Sequence, residues 1–271
     1  MSAFDSAARA ELIETMTVAS LAAAEAIERA HGRGSVRIKA DGSPVTAADD
    51  AAEAEIRAGL AQRAPALPVI SEEEAERVPP AVSGATFILV DPLDGTREYI
   101  AGRVEYAVNI ALVSDGAPVL GVIAAPALGL IWRGVAGRGA ERLKFSSRNT
   151  SPPQAIHTRP RPEGDLLVMV SRSHLDARTE TYLARLPRAQ RIPCGSALKF
   201  CRLAEGTADL YPRLAPTRDW DVAAGHAILA AAGGNVVAPD GTALIYGTPS
   251  LRIPAFVAWA DPAAAGPAMG G

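Results

Sequence analysis

The chain has 271 residues with 27 basic and 30 acidic side chains, a formal net charge of −3 at pH 7. Apolar residues at 48% and charged residues at 21% are globular proportions, which exclude a disordered chain and supply the core of one large or two ordinary domains. The mild acidity argues against a nucleic-acid or anionic-membrane surface, and two cysteines, Cys194 and Cys201, are too few for a disulfide framework and point to a reducing compartment.

Leu12, Ile13, Met16, Ala19, Ala23 and Ile27 recur at helical spacing and predict a helix over 5–30, stopped by His31-Gly32. Asp5, Glu11 and Glu14 stand where a signal peptide would be basic and then apolar, so no targeting segment is expected. Val36 and Ile38 alternate with polar residues as a short strand, and Asp41-Gly42-Ser43-Pro44 makes a turn. A second helix is predicted from Thr46 to about 64, with Thr46-Ala-Ala-Asp49 as its cap. Val69-Ile70 reads as a strand end feeding Ser71-Glu72-Glu73-Glu74, where S-x-x-E predicts a capping box between Ser71 and Glu74. Phe87-Ile88-Leu89-Val90 predicts a strand buried on both faces, followed at its carboxyl end by a turn, Asp91-Pro92-Leu93-Asp94-Gly95-Thr96.

Further strands are predicted over 106–113, 118–125 and 130–135. The uncharged stretch 116–132 contains Pro118 and Pro126 and reads as two strands with a turn, not as a membrane span. The polar segment 146–165 holds four prolines and is the natural inter-domain connection. It divides an α+β part, 1–155, from an α/β part, 156–262, with a frayed tail over 263–271. In the second part, strands at 166–170 and 208–211 alternate with helices at 176–186, 196–205 and 220–232. Cys194 and Cys201 read as small buried hydrophobes, because no second Cys/His pair has zinc spacing.

Asp91 and Asp94, three residues apart after a buried strand, are hard oxygen donors that suit Mg2+, and Thr96 adds a hydroxyl able to orient a water. The plain alternative is a pair of helix-capping aspartates. An aspartyl-phosphate mechanism of the D-x-D-G-T kind is excluded, because the spacing here is three and Pro92 stands in the way. Asp219-Trp220-Asp221 opens a helix, where acids are favoured by the dipole in any case, and Trp220 reads as core support for Asp221. Gly195-Ser196 precedes another helix, whose free N–H groups face outward, with Lys199 one turn in. Arg213 follows a strand and can clamp a phosphate bidentately. By themselves the first two read by default as an ordinary Ser N-cap and a solvated Lys, and the plain alternative for Arg213 is an isolated surface arginine. His174 alone reads as a hydrogen-bonded surface residue and His226 as packing.

Together the pieces form a pattern. Val45-Thr46-Ala-Ala-Asp49, Ser71-Glu72-Glu73, Asp91-Pro-Leu-Asp94-Gly-Thr96 and Trp220-Asp221-Val-Ala-Ala-Gly-His226 occur in the order and spacing of the inositol monophosphatase superfamily, which the chain resembles from about Thr46 to Val257. Asp91 to Ile100, Ser171-Arg-Ser-His174, Gly195 to Cys201, Ala204-Glu-Gly206 and Leu210-Tyr-Pro-Arg213 are similar to its bisphosphate-nucleotidase branch, with Arg97 and Tyr99 replacing the usual Lys and Phe. The resemblance implies a mixed α/β fold, the layered α/β/α/β/α sandwich, with the site in a cleft between the two parts. It implies two to three Mg2+ ions on Glu72, Asp91, the Leu93 carbonyl, Asp94 and Asp221, with Glu72, Thr96 and Asp49 directing the attacking water. It places the substrate on Asp94, Gly95, Thr96, His174, Gly195, Ser196, Lys199, Arg213 and Asp221. The activity implied is Li+-sensitive hydrolysis of the 3'-phosphate of a small-molecule nucleotide bisphosphate, clearing a by-product of sulfate assimilation. The implied setting is cytoplasmic, with the family trait of peripheral attachment to the inner membrane, as monomer or homodimer and without nucleic acid. An inositol-monophosphate or sugar-bisphosphate phosphatase shares the metal site and is the alternative; a non-catalytic scaffold is a distant third.

Overall fold

The computed structural model describes residues 6–32, 35–75, 86–173, 175–186 and 188–264. The first predicted helix forms as α1 (Ser6–Ala30) and buries Leu12, Met16, Ala19, Ala23 and Ile27, the residues that recur at helical spacing. The short strands β1 (Arg37–Ile38) and β2 (Pro44–Val45) pair antiparallel ahead of α2 (Ala47–Arg63). Thr46 caps α2 reciprocally: its hydroxyl accepts from the Ala48 N–H, and Asp49 reaches back to the Thr46 N–H at 2.8 Å.

β3 (Val69–Ser71) leads into the single turn α3 (Glu72–Ala75). Here the expected capping box does not form. The Ser71 hydroxyl accepts from the Glu73 N–H at 3.3 Å, while Glu74 turns away to Arg57. The next elements are β4 (Phe87–Asp94), α4 (Thr96–Ile100), β5 (Ala107–Ser114), β6 (Ala117–Ala125), β7 (Leu130–Val135), β8 (Gly139–Ser146), β9 (Asn149–Thr150) and β10 (Gln154–Ile156). β10-β8-β7-β6-β5-β4-β3 form one large sheet, with β9 attached to β8; all of its pairs are antiparallel except β3 with β4. The stretch 146–165 is therefore only partly a connection, since β9 and β10 within it pair back onto β8.

The second sheet has the order β12-β11-β13-β17-β15, built from β11 (Leu166–Ser171), β12 (Ala189–Cys194), β13 (Leu210–Arg213), β15 (Asn235–Val237) and β17 (Phe256–Trp259). A two-stranded piece, β14 (Thr217–Arg218) with β16 (Arg252–Ile253), stands beside it. The helices of this part are α5 (Ala177–Ala184), α6 (Leu198–Ala204) and α7 (Asp219–Ala231). α6 begins two residues later than the sequence predicts, with Ala197 in the cap position.

Period-two alternation along the strands sorts the layers. Ile88, Val90, Val108, Ile110 and Val122 face α1 and α2, while Phe87, Leu89, Ala107, Ala111 and Ile123 face α6 and α7. Met169, Tyr211, Val236, Phe256 and Ala258 close that second core from the small sheet, and Val168, Leu210 and Val257 turn outward onto Tyr182 and Leu183 of α5. The result is the α/β/α/β/α order. α7 comes from the second half of the chain yet packs on β4 to β8 of the large sheet, so one core runs across residue 155. Both cysteines are free and buried. Among the described residues no helix is long and apolar enough to cross a membrane.

Candidate active site

A β-bulge brings the first two acids together. In a regular strand, residues three apart point to opposite faces. On β4, however, Asp91 pairs with Asn109 and Asp94 with Ala107, so Pro92 and Leu93 stand opposite Val108 alone. The extra residue turns Asp91 and Asp94 into one cavity. The sequence reading placed both on a turn; they are instead the irregular end of the strand. Gly95 follows at φ 93°, a left-handed conformation natural to glycine, and a Cβ there would lie 2.9 Å from the Glu105 carbonyl oxygen.

The cavity is about 220 Å³ and is lined by Glu72, Asp91, Leu93, Asp94, Gly95, Thr96, Gly195, Ser196, Lys199, Arg213 and Asp221, eleven of the expected site residues. Asp49 lies just behind it, buried, with Oδ1 3.2 Å from the Thr96 Oγ1. His174 lies outside the described residues. Six segments distant in sequence thus meet: the α2 cap, α3, the end of β4, the start of α6, the end of β13 and the first turn of α7.

Burial raises the pKa of Asp91 well above the carboxylate range, and the charges of Glu72, Asp94 and Asp221 add to it. Burial likewise pushes Asp94 up to about 6, helped by Asp221, and Glu72 up to about 8, opposed by Lys39. Asp49 is raised by burial alone, against its hydrogen bonds to Thr46 and Thr96. Such crowding of buried carboxylates calls for a cation. Four carboxylates and the Leu93 carbonyl are a hard-oxygen donor set, the kind that divalent Mg2+ takes. As the side chains stand, the described residues form no ready cation cage, because each acid is turned to an internal donor. Glu72 accepts from Lys39 Nζ at 2.8 Å, Asp94 from the Ala197 N–H at 2.5 Å, Asp91 from the Leu93 N–H at 3.1 Å, and Asp221 from the Thr217 hydroxyl. The donor set fits a divalent cation by chemistry, and each of these bonds engages one carboxylate oxygen and leaves the other for the cation.

The cationic part of the cavity differs from expectation in detail. The Ala197 amide, expected to be free, is taken by Asp94, and the Gly195 amide donates to Glu105 at 3.3 Å. Lys199 is buried rather than solvated, with its ammonium on the carbonyls of Cys194 and Ser196 and 5.0 Å from the centre of the Tyr211 ring. Arg213 lines the same cavity, and its buried Nε has no hydrogen-bond partner.

A family model described as the inositol monophosphatase family matches residues 8–265. The chain belongs to the inositol monophosphatase family. It is 44% identical over 214 residues, 77% of this chain and 81% of the relative, to the 3'(2'),5'-bisphosphate nucleotidase CysQ of Shigella flexneri. It is 33% identical over 217 residues, 77% of this chain and 79% of the relative, to the histidinol-phosphatase of Mycobacterium tuberculosis. The crystal structure of CysQ from Bacteroides thetaiotaomicron, a bacterial member of the same family, superposes with a TM-score of 0.76 at 34% identity, covering 92% of this chain and 96% of that one.

Sequence reasoning gave no site role to two residues that hold the cavity's acids, Lys39 and Asn109, nor to Ser43 and Pro44 on its wall. Lys39 reaches Glu72 and Glu73 from β1's end, at 2.8 and 2.6 Å. Burial works against its charge, but the two glutamates outweigh that and hold the ammonium above its ordinary range. Asn109 on β5 donates to Asp94 at 3.3 Å. Lys39 belongs to a chain with only three lysines, which is the one signal that could have drawn attention to it.

Proposed function

We propose that the protein is a Mg2+-dependent phosphatase that hydrolyses the 3'-phosphate of adenosine 3',5'-bisphosphate to the 5'-monophosphate and inorganic phosphate. The observation that carries this reading is the single cavity in which four carboxylates meet Lys199, Arg213 and the Gly195–Ser196 turn. The carboxylates account for catalysis of phosphate release; the cations account for a second phosphate that stays. The relatives named as bisphosphate nucleotidases support the choice of substrate.

Glu72, Asp91, Asp94, Asp221 and the Leu93 carbonyl would hold two to three Mg2+ ions. Bound there, such ions supply charge neutralisation of the phosphoryl oxygens and a lowered pKa for water. The chain's own part is positioning and proton transfer. Thr96 Oγ1 lies 3.2 Å from Asp49 Oδ1 and 3.0 Å from the Leu93 carbonyl, so its one proton is given inward and its lone pairs face the cavity. A water there donates to Thr96 while Thr96 donates to Asp49, and burial makes Asp49 a better base than an exposed aspartate. Glu72, facing the same space, fixes the water's second proton. The water oxygen attacks phosphorus as its proton passes through Thr96 to Asp49, the P–O3' bond breaks, and the 3'-oxygen leaves opposite, taking a proton from solvent to become the alcohol. No covalent phosphoenzyme forms.

Lys199, Ser196 and Arg213, which share one cavity with the acids, hold the 5'-phosphate, with the Arg213 guanidinium as its clamp. A place in sulfate assimilation, Li+ sensitivity and a cytoplasmic location are parts of the same proposal; the two unpaired cysteines fit a reducing compartment.

The test is phosphate release from adenosine 3',5'-bisphosphate, adenosine 5'-monophosphate, inositol 1-phosphate and fructose 1,6-bisphosphate, with Asp94→Asn as control. The expected outcome is turnover of the bisphosphate nucleotide with the 5'-monophosphate untouched, abolished by EDTA and restored by Mg2+. Preference for inositol 1-phosphate would overturn the substrate and keep the chemistry.

A further inference from the structure

Glu105 lies in the loop between α4 and β5, outside every motif that defines the cavity, yet several segments are built on it. Its carboxylate takes a two-pronged pair from Arg172, Nε and Nη2 each at 2.7 Å, and accepts from the Gly195 N–H at 3.3 Å. Arg172 continues to the Pro193 carbonyl at 3.0 Å, and its own amide donates to Cys194 at 3.3 Å. The neighbouring Ser173 hydroxyl donates to Glu98 at 2.5 Å. A Cβ on Gly195 would lie 2.7 Å from the Glu105 carbonyl oxygen and 2.9 Å from Glu98 Cγ, so Gly195 is pressed flat against both acids.

The turn held this way is strained. Ser196 has φ 54°, a left-handed conformation that is unfavourable for a non-glycine residue and persists only where its surroundings dictate it. Its two sides are clasped by carboxylates, the Gly195 amide by Glu105 and the Ala197 amide by Asp94. Asp94 belongs to the acid cluster. Glu105 has no such duty, and Arg172 holds its carboxyl below the ordinary glutamate range, so it stays an acceptor.

We propose that Glu105 and Arg172 are positioning residues for the second phosphate: their pair sets the Gly195–Ser196 turn, and thereby decides how well the enzyme tells a bisphosphorylated nucleotide from a monophosphorylated one. This rests on the nucleotidase reading above. Binding energy for the phosphate that is not cleaved is the same in ground and transition states, so losing it raises KM and leaves kcat nearly alone. The side chains of Arg172 and Glu105 are 34% and 20% exposed, so the pair is only partly buried and its truncation leaves no large buried hole.

The experiment compares kcat and KM for adenosine 3',5'-bisphosphate and adenosine 3'-monophosphate, which lacks only the second phosphate. Wild type is set against Glu105→Ala, Arg172→Ala and the charge reversal Glu105→Arg with Arg172→Glu, all saturated with Mg2+. The single variants are expected to raise KM for the bisphosphate about tenfold, the worth of one charge-assisted hydrogen bond, with KM for the monophosphate moving less than about twofold. The reversal restores the ion pair but leaves the Gly195 N–H without an acceptor, because a guanidinium only donates, so it is expected to lose discrimination as the single variants do. Should an alanine variant fail to fold, Glu105→Gln, which keeps an acceptor for Gly195 and loses the charge, gives the same loss in smaller measure. Equal losses on both substrates would reduce the pair to general scaffolding, and unchanged discrimination would also overturn the proposal. A wild-type enzyme with no preference for the bisphosphate is a different result, and it sinks the nucleotidase reading itself.

Discussion

Asp94 is pushed up to about 6 by burial and by Asp221, so the metal-free protein holds it at a cost. Asp94→Asn keeps an oxygen for the Ala197 N–H and removes one repelling charge. We expect this variant to lose about a thousandfold in kcat/KM and yet, in EDTA, to melt about 2–4 °C higher, the shift of about 1 kcal/mol in a chain of this size. Differential scanning fluorimetry with and without Mg2+ checks both halves. An unchanged or lower apo Tm would mean that the cluster does not repel itself. His226 shows the opposite sign. Burial lowers its pKa to about 4, from an ordinary value near 6.5, with Nδ1 2.9 Å from the Tyr246 hydroxyl. The fold keeps this ring neutral, so its contribution is complete above about pH 6.5 and is lost as the pH falls toward 4, where the unfolded chain binds the proton first. His226→Gln should flatten that limb. Urea midpoints from pH 7 to pH 4 test it as a difference between the two proteins, since the raised carboxylates act in the other direction in both.

The elements that matter most are pressed together at small residues. A Cβ on Gly121 of β6 would lie 2.3 Å from the Ala224 carbonyl oxygen of α7, and one on Gly225 would lie 2.3 Å from Cδ2 of Phe200 in α6. Gly225→Ala therefore has to push α6 away, and α6 carries Lys199. Overpacking of this kind costs about 1–3 kcal/mol, so we expect Tm to fall by about 2–10 °C and KM for the bisphosphate to rise with it. A melting curve equal to wild type would show that Phe200 yields without moving its helix. Element legibility followed local pattern. The α2 cap, the apolar run 87–90 and the helix of α1 were readable because their signals lie within one or two turns of chain. β8 and β12 were not, because Glu141, Arg142 and Lys144 in the one, and Arg191 and Pro193 in the other, break the apolar run of a strand. Both lie toward a sheet edge, where one side is half exposed and charge is tolerated.

At the scale of the whole molecule, the large sheet has no independent inner core. Its inner face is covered by α6 and α7, which follow residue 155, and the same core continues into the small sheet. A fragment of residues 1–155 is expected to collapse without a cooperative melt, because it leaves Phe87, Leu89, Ile123 and Trp132 uncovered. Near-ultraviolet circular dichroism of that fragment decides this; a sharp two-state transition would show a self-sufficient first unit. Glu205 adds to the join, accepting from Trp132 Nε1 at 2.8 Å and Arg142 at 2.9 Å of the large sheet and from Arg202 of α6.

The inventory of donors, the order of most elements and the resemblance to a phosphatase family were legible in the residues alone, because capping, periodicity and motif spacing are properties of neighbours along the chain. Which groups meet was set by packing in three dimensions. Asp91 and Asp94 share a cavity because of a bulge set by pairing with β5. Lys39 finds Glu72 from 33 positions away, and Glu105 finds Arg172 from 67. The amides of Gly195 and Ala197, open on paper, are occupied by carboxylates from the first half of the chain. Burial and Coulomb interaction depend on distance in space, and the chain encodes that distance only through the packing of five layers.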